Sequence, residues 1–489
     1  MYLSLSKKIH ISSQVKGYST VFLSLSITII LSLILALYQG ARIGAVKMKT
    51  ECVADVSMNS ILAEYNRELF DRFSLLMVET SYGSGNHSIT NTEEHLKNYA
   101  QKNFSRSLEG KVRNAQTMTS IYCKDARISG TSYATDNAGA VLNRQILAYM
   151  KAEPIEHALF EAQENKRQLE EAGFDTTDVE EMARANQEEI DSIELPTIIN
   201  EDGEEEEVSL ANPADEVNSQ KGVGVLNLAA GGRYEISEAY ANINEYSSHR
   251  SKNKGTGLND RCELSVMDKI LLEQYYFEKC GRYGNELDES LLKYQLEYLC
   301  YGENSDWKNL EKMAETLLFW REASNLAYIL TSSSKVSAAE TAATALTAVL
   351  MVPELEEPVK YSILFAWSFA ESISDISILL GGGRVPLFKS DDTWQLGFWE
   401  MLGFRNNLGK GDCGSGLYYK DYLRIRLLMT GHEEKTKRLM DIIEMDIRLT
   451  PGNDSFMIDH CLDTFCGEIT VGTSYGYETK IERIYGYEE

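Results

Sequence analysis

Few residues in this 489-residue chain have both the type and the spacing that chemistry requires. Cys413-Gly414-Ser415-Gly416 sets a thiol and a hydroxyl in a glycine-rich stretch from Gly409 to Gly416, but no histidine motif marks a base for either. His432-Glu433-Glu434 lacks the second histidine of a zinc-protease helix, and the seven histidines are otherwise scattered. Gly222-Val223-Gly224-Val225-Leu226-Asn227 lacks the third glycine of a dinucleotide loop, and Gly381-Gly382-Gly383-Arg384 lacks the Gly-Lys-Ser/Thr ending of a phosphate loop. Both read as turns. The run Glu201-Asp202-Gly203-Glu204-Glu205-Glu206-Glu207 lacks the alternating oxygen ligands of a calcium loop and reads as a solvated charge run. Among 74 acidic residues any chosen carboxylate pair would be arbitrary. The expectation is a non-catalytic chain with no catalytic residue, cofactor or metal.

The elements say more than the motifs. From Val21 to Tyr38 an apolar span is interrupted only by Ser24, Ser26, Thr28 and Ser32, about the minimum for a hydrocarbon core of roughly 30 Å. Leu35-Ala36-Leu37-Tyr38-Gln39 offers no small-x-small site, so the reading is an uncleaved anchor rather than a removed signal. Lys7, Lys8 and Lys16 precede the span while Arg42, Lys47 and Lys49 follow it, so charge does not set the orientation. The short tail before the span favours a cytoplasmic N-terminus, with the bulk outside the cell. Beyond the bilayer the same helix is expected to run to about Leu76, with a stripe of Cys52, Val56, Leu62, Tyr65, Leu69, Phe73 and Leu76 on one face. At the membrane exit Ala36, Gly40 and Gly44 recur every four residues, a face on which another helix can approach closely.

With 48 Lys+Arg against 74 Asp+Glu the formal charge is −26, which repels phosphate backbones and argues against nucleic-acid binding. Eight cysteines form an even but scattered set, open to disulfides or to buried free thiols alike. The pattern divides the chain into a basic cytoplasmic tail (1–17), a transmembrane helix (18–40), an amphipathic extracytoplasmic helix (41–76), an α/β segment (77–175), an acidic, partly disordered insertion (176–260), a helical domain (261–450) and a C-terminal β segment (451–489). Helices are expected at Glu93–Phe104, Ala138–Lys151, Glu156–Glu171, Ser265–Lys279, Asp288–Tyr301, Leu310–Leu330, Ala338–Val352, Val359–Leu380 and Tyr418–Leu449. Glu371 and Asp375 mark the apolar stretch Tyr361 to Leu380 as a core helix, not a second span. Strands are expected at Met118–Tyr133, Ser455–Cys461, Glu468–Thr473 and Thr479–Tyr485. The fold class is therefore α+β, predominantly α. A long N-terminal helix and a small sheet from residues near 118–133 and 455–486 form a pilin-like core interrupted by a large helical insertion.

At Lys16-Gly17-Tyr18-Ser19-Thr20-Val21-Phe22-Leu23-Ser24-Leu25, at Leu37-Tyr38-Gln39-Gly40-Ala41-Arg42 and at Glu64-Tyr65-Asn66-Arg67-Glu68-Leu69 the chain resembles the DUF5702 family of uncharacterised Gram-positive surface proteins. Trp367 to Leu380 with Gly382-Gly383-Arg384-Val385-Pro386-Leu387, Tyr419-Lys420-Asp421-Tyr422-Leu423-Arg424 and Met440-Asp441-Ile442-Ile443-Glu444 carry the resemblance further. The N-terminus is similar to that of TadE/TadG-like pseudopilins of Tad/Flp pilus systems. That similarity implies prepilin-peptidase cleavage between Gly17 and Tyr18. The acidic residue such proteins carry five places after the cut is replaced by Phe22, which implies a bitopic component beside the pilus machine. The resemblance implies a minor pseudopilin or accessory envelope protein whose partners are membrane lipid through 18–40 and pilus-assembly proteins or copies of itself. A stand-alone surface binding protein or adhesin is the alternative, and an extracellular hydrolase a third reading.

Overall fold

The computed structural model describes residues 17–105, 120–199, 205–207, 210–408 and 411–487. In chain order the elements are α1 (Tyr18–Leu62), α2 (Arg67–Phe73), β1 (Val78–Glu79), α3 (Ile89–Ser105), β2 (Ile121–Tyr133), α4 (Asp136–Met150), α5 (His157–Glu171) and α6 (Val179–Asp191). There follow β3 (Thr197–Ile199), β4 (Glu205–Glu207), α7 (Pro213–Asn218), α8 (Val225–Ala230), α9 (Val266–Lys279), α10 (Gln295–Tyr301), α11 (Asp306–Thr331) and α12 (Ser333–Leu350). The chain continues through α13 (Glu356–Leu380), α14 (Phe398–Leu402), α15 (Tyr419–Met429), α16 (His432–Ile447), β5 (Cys461–Thr473) and β6 (Glu478–Gly486). The fold is α+β and predominantly α, with the helical body inserted in the sequence between β2 and β5.

β5 is the hub of the sheet and pairs with β1, β2 and β6. Val78 lies opposite Leu462 in the antiparallel β1–β5 pair. Ser474 N donates to Ser120 O and Ala134 N to Cys461 O, so β2 also runs antiparallel to β5. β5 turns into β6 through Ser474–Tyr477, where Gly476 takes a φ of +83° that a side chain would strain. Of the two strands expected at Ser455–Cys461 and Glu468–Thr473, the structure has a single strand, Cys461–Thr473; Ser455 to His460 is not a strand and ends in a 3-10 turn at Ile458–His460. Asp463 is buried and accepts from Arg144 and from Gln145 Nε2 (2.6 Å), so a polar strand residue is satisfied by tertiary partners.

The chain forms two compact units. The first draws on Met1–Glu64, Ser88–Gly130 and Phe465–Gly486. In it the C-terminal half of α1 buries Val46, Thr50, Val53, Ala54, Ser57, Met58, Ile61 and Leu62, steps of three and four that form one face, and packs on α3 and β6. Of the expected stripe, Leu62 lies on this face and Leu69 and Phe73 are buried on α2, while Cys52 and Val56 are exposed. The helix also ends at Leu62 instead of Leu76. Asn66 takes an extended conformation and its Oδ1 caps α2 by accepting from Leu69 N (3.0 Å), which starts a new helix.

The second unit draws on Tyr65–His87, Thr131–Thr464 and Tyr487–Glu489. Its centre is α13, buried almost throughout and packed on α6, α7, α8, α11 and α12. The region expected to be a partly disordered acidic insertion, 176–260, is largely built into this core. Asn186 Nδ2 donates to Pro358 O (2.9 Å), Asn212 Nδ2 to Ser362 Oγ (3.0 Å), and Val217, Leu226 and Leu228 are buried. Acidic residues on the outer faces mask that inner periodicity in the sequence. Of the charge run, Glu201–Glu204 lies outside the described residues, while Glu205–Glu207 pairs as β4 with β3. Asp288–Tyr301 is helical only from Gln295: Asp446 and Asp306 accept from the backbone N–H groups of Leu291, Lys293 and Tyr294, holding that stretch in a non-helical path. The expected helix Tyr418–Leu449 is split at Thr430-Gly431 into α15 and α16. Basic tail residues Lys7, Lys8 and Lys16, and Met118, lie outside the described residues.

Candidate functional site: the exposed apolar helix and the buried charges

Gly17 precedes the first turn of α1, and Tyr18 opens that helix 87% exposed. From there the apolar residues face outward: Phe22, Leu25, Ile29, Ile30, Leu33, Ile34 and Leu37 are all more than half exposed, and none of the most apolar 18-residue window is buried. Ser24, Thr28 and Ser32 hydrogen-bond back to their own helix, as Thr28 Oγ1 does to Ser24 O (2.7 Å), so these three hydroxyls are satisfied without water. Ala36, Gly40 and Gly44 lie together along α1, exposed, and a Cβ placed on either glycine would meet nothing within 4 Å. The face is open. Gly17 and Tyr18 sit about 33 Å away along the same helix, at a rise of about 1.5 Å per residue. A second helix, Pro353–Leu380, is also long and apolar enough to cross a membrane, but its window is wholly buried in the second unit, as Glu371 and Asp375 imply.

Those two carboxylates open a feature that the sequence motifs did not reveal. Lys389 Nζ donates to Glu371 Oε1 (2.6 Å), to Asp375 Oδ1 (2.6 Å) and to Thr393 O (3.0 Å), with all three charged side chains inaccessible. Arg321 Nε donates to Asp375 Oδ2 (2.9 Å) and its Nη1 to Pro386 O (2.8 Å) and Leu387 O (3.1 Å). Two cations and two anions thus tie α11 and α13 to the segment 386–396. Burial raises the Glu371 carboxyl, against the pull of Lys389; burial lowers the Lys389 ammonium, but Asp375 and Glu371 outweigh it and hold it above its ordinary value. A second cluster joins Arg250 to Glu444 and Asp459, with Arg448 Nη2 on Glu444 (3.2 Å). A third pairs Lys435 with Glu273. Only the i, i+4 pair Glu371 and Asp375, inside an apolar run, pointed to any of these.

Glu297 is buried, and among the described residues it forms no ion pair: its Oε1 accepts from Tyr419 Oη (2.8 Å) and Tyr283 N (3.1 Å), and burial raises its carboxyl to about 7. A carboxyl raised from its unfolded value binds a proton more tightly when folded. Its contribution is therefore fully present below about pH 4.5 and is lost as pH rises toward and past 7. Glu297→Gln, which mimics the protonated acid, is expected to leave stability nearly unchanged at pH 4 and to raise it by about 3 kcal/mol at pH 8.5. Urea unfolding at the two pH values reads this difference.

The remaining sequence motifs have structural surroundings. Gly224 (φ +91°) leads into α8. Asp412 accepts from Arg384 Nε (3.0 Å), and the Cys413 thiol donates to Thr393 O (3.5 Å) and is raised by burial. Gly409 lies outside the described residues. His432 sits at the start of α16 with Nε2 3.1 Å from Asn143 Nδ2, and burial depresses it to about 4. No two of the eight cysteines are joined in a disulfide. Among the described residues no group of His, Cys, Asp and Glu is placed to hold a metal ion.

No curated protein and no solved structure matches this chain. Residues 203–473 match the model of a family of unknown function, DUF5702. The match begins after α6, ends at the last residue of β5 and takes in all three charge clusters. Because it spans more than half of the chain, the chain belongs to the DUF5702 family.

Proposed function

We propose that this protein is a single-pass, membrane-anchored envelope component of a Gram-positive cell. Residues 18–40 lie in the cell membrane, the N-terminus is cytoplasmic and the bulk is outside. Its work is assembly rather than catalysis, as a TadE/TadG-like minor pseudopilin or accessory component of a Tad-like pilus or secretion apparatus. The observation that carries this reading is α1 itself: its first half exposes an apolar surface on every side, while its second half packs on α3 and β6. Exposed apolar side chains in such number are costly in water and suited to lipid. The combination of a membrane helix continuing into the spine of a small α+β unit is the pilin-like layout. The N-terminal sequence of the protein purified from its own membranes tests the reading. A chain beginning at Tyr18 supports entry into the pilus pathway, and an intact N-terminus removes prepilin processing from the proposal.

Assembly would use Ala36, Gly40 and Gly44, where a neighbouring helix, from a copy of this chain or from another pilus component, can approach the backbone. Gly40→Leu with Gly44→Leu is expected to reduce in-membrane cross-linking to neighbours at least about fivefold, the equivalent of roughly 1 kcal/mol per interface. Unchanged cross-linking would remove this face from the assembly.

A second reading, a surface binding protein or adhesin, is favoured by a shallow cavity of about 230 Å³ beside Tyr283, Tyr418 and Tyr419. Tyrosine rings at a recess suit polymer ligands that present apolar faces and hydroxyls. Retention of a ligand by a released ectodomain would favour this reading.

A further inference from the structure

We propose that the helical unit binds a primary alkylammonium group in a cavity whose floor is the carboxylate of Glu322. The cavity holds about 370 Å³ and is walled by Leu228, Leu318, Phe319 and Phe369. Glu322, on α11, is 93% buried, and among the described residues its carboxylate accepts no hydrogen bond and forms no ion pair. A buried acid without a partner is costly, and it contrasts with Glu297 and Asp306 of the same unit, which accept hydrogen bonds, and with Glu371 and Glu444, which pair with cations. It asks for a cation.

The other charged groups at the cavity narrow the chemistry. Asp178 caps α6 by accepting from Glu181 N (2.9 Å), and Glu315 pairs with Lys312 (3.0 Å), so neither is free to join Glu322 around a metal ion. Glu180 is exposed at the mouth and adds negative charge. One uncommitted buried carboxylate matches a monovalent cation, and aliphatic and aromatic walls match an alkyl chain behind it. Lys221 Nζ already lies 5.0 Å from the Phe369 ring centroid without an ion pair to Glu322, so the aromatic wall tolerates an ammonium group beside it.

Burial raises the Glu322 carboxyl to about 7, against the pull of Lys221 and with Glu180 and Asp178 adding to the rise. A bound ammonium favours the ionised form, so binding releases a proton and strengthens as pH rises from 6 to 8, by roughly tenfold for a group titrating midway.

Isothermal titration of the detergent-solubilised full chain with n-pentylamine, Nα-acetyl-lysine methylamide and the neutral Nα-acetyl-norleucine methylamide tests this. Saturable binding of at least one amine, no binding of the neutral analogue and a loss of about tenfold or more in Glu322→Gln are expected. Preference for pentylamine identifies a free amine as the ligand, and preference for the acetyl-lysine compound identifies a protein lysine. Should Glu322→Gln not fold, Glu180→Gln at the exposed rim is expected to weaken binding about threefold. Absence of saturable amine binding, equal binding of the neutral analogue, or wild-type affinity in a folded variant would each overturn the proposal.

Discussion

Replacing Lys389 with methionine is expected to destabilise the helical unit by about 3–5 kcal/mol, enough to consume much of a typical folding free energy of about 5–15 kcal/mol. The reason is arithmetic of charge. Lys389 and Arg321 balance Glu371 and Asp375 in a region where none of the four side chains is more than 1% exposed. Methionine restores the packing volume but leaves one negative charge in excess. Glu371 keeps two backbone donors, Gln395 N (2.8 Å) and Leu396 N (2.9 Å), while Asp375 keeps Arg321 Nε and Asn325 Nδ2 (3.1 Å). The surplus charge therefore falls mainly on Glu371, which lacks a second cation. Lys389→Met combined with Glu371→Gln should recover at least about half of the loss, since it removes the uncompensated anion. Chemical denaturation followed through tryptophan fluorescence reports the effect, because Trp367 and Trp394 both donate Nε1 to Leu396 O beside the cluster. A cost below about 1 kcal/mol for the single variant would mean that water reaches Glu371 and that the network is not closed.

How far this framework was legible in the sequence follows from the range of the interactions involved. The apolar span, the sheet strands near 118–133 and within 455–486, and the core assignment of the α13 segment all rest on local periodicity, and they stand in the structure except for Ser455 to His460, which forms no strand. Contacts distant in sequence were not legible. Lys389 meets Glu371 across 18 positions, Arg321 meets Asp375 across 54, and Arg250 meets Glu444 across 194. No local pattern announces such a partner, so each charged residue looked like another solvated one in an acidic chain. The same long reach explains the errors of extent. Asp446 and Asp306 capture the backbone before α10, Asn66 caps a new helix after α1, and α6 to α8 bury their apolar side against α13 beneath an acidic exterior. The Glu322 cavity was equally hidden, because a buried acid with no partner looks in sequence like any glutamate on a helix.

Arginine at Ile30 and Ile34 of α1 is expected to release the protein from the membrane. Each arginine near the middle of a spanning helix costs about 2.5–3.5 kcal/mol on insertion scales, so the pair removes roughly 5–7 kcal/mol from a span of only about the minimum length. Both positions are exposed now and touch no core, so the substitutions leave the packed half of α1 and the helical unit intact. Alkaline extraction of membranes should move the double variant from the pellet to the supernatant with an unaltered unfolding curve. Two controls separate lipid insertion from general damage. Val56→Arg, exposed on the half of α1 that packs on α3 and β6, should stay in the pellet, because that surface faces water. Ile363→Arg on α13, the other helix long enough to span a bilayer, should cost stability instead of membrane attachment, since Ile363 is completely buried. If the arginine pair in α1 stayed with the membrane while Ile363→Arg was released, the roles of the two helices would be reversed. The charges that bury Glu371 and Asp375 within α13 argue against that outcome, because they find their cations inside the protein and leave α13 no apolar face for lipid.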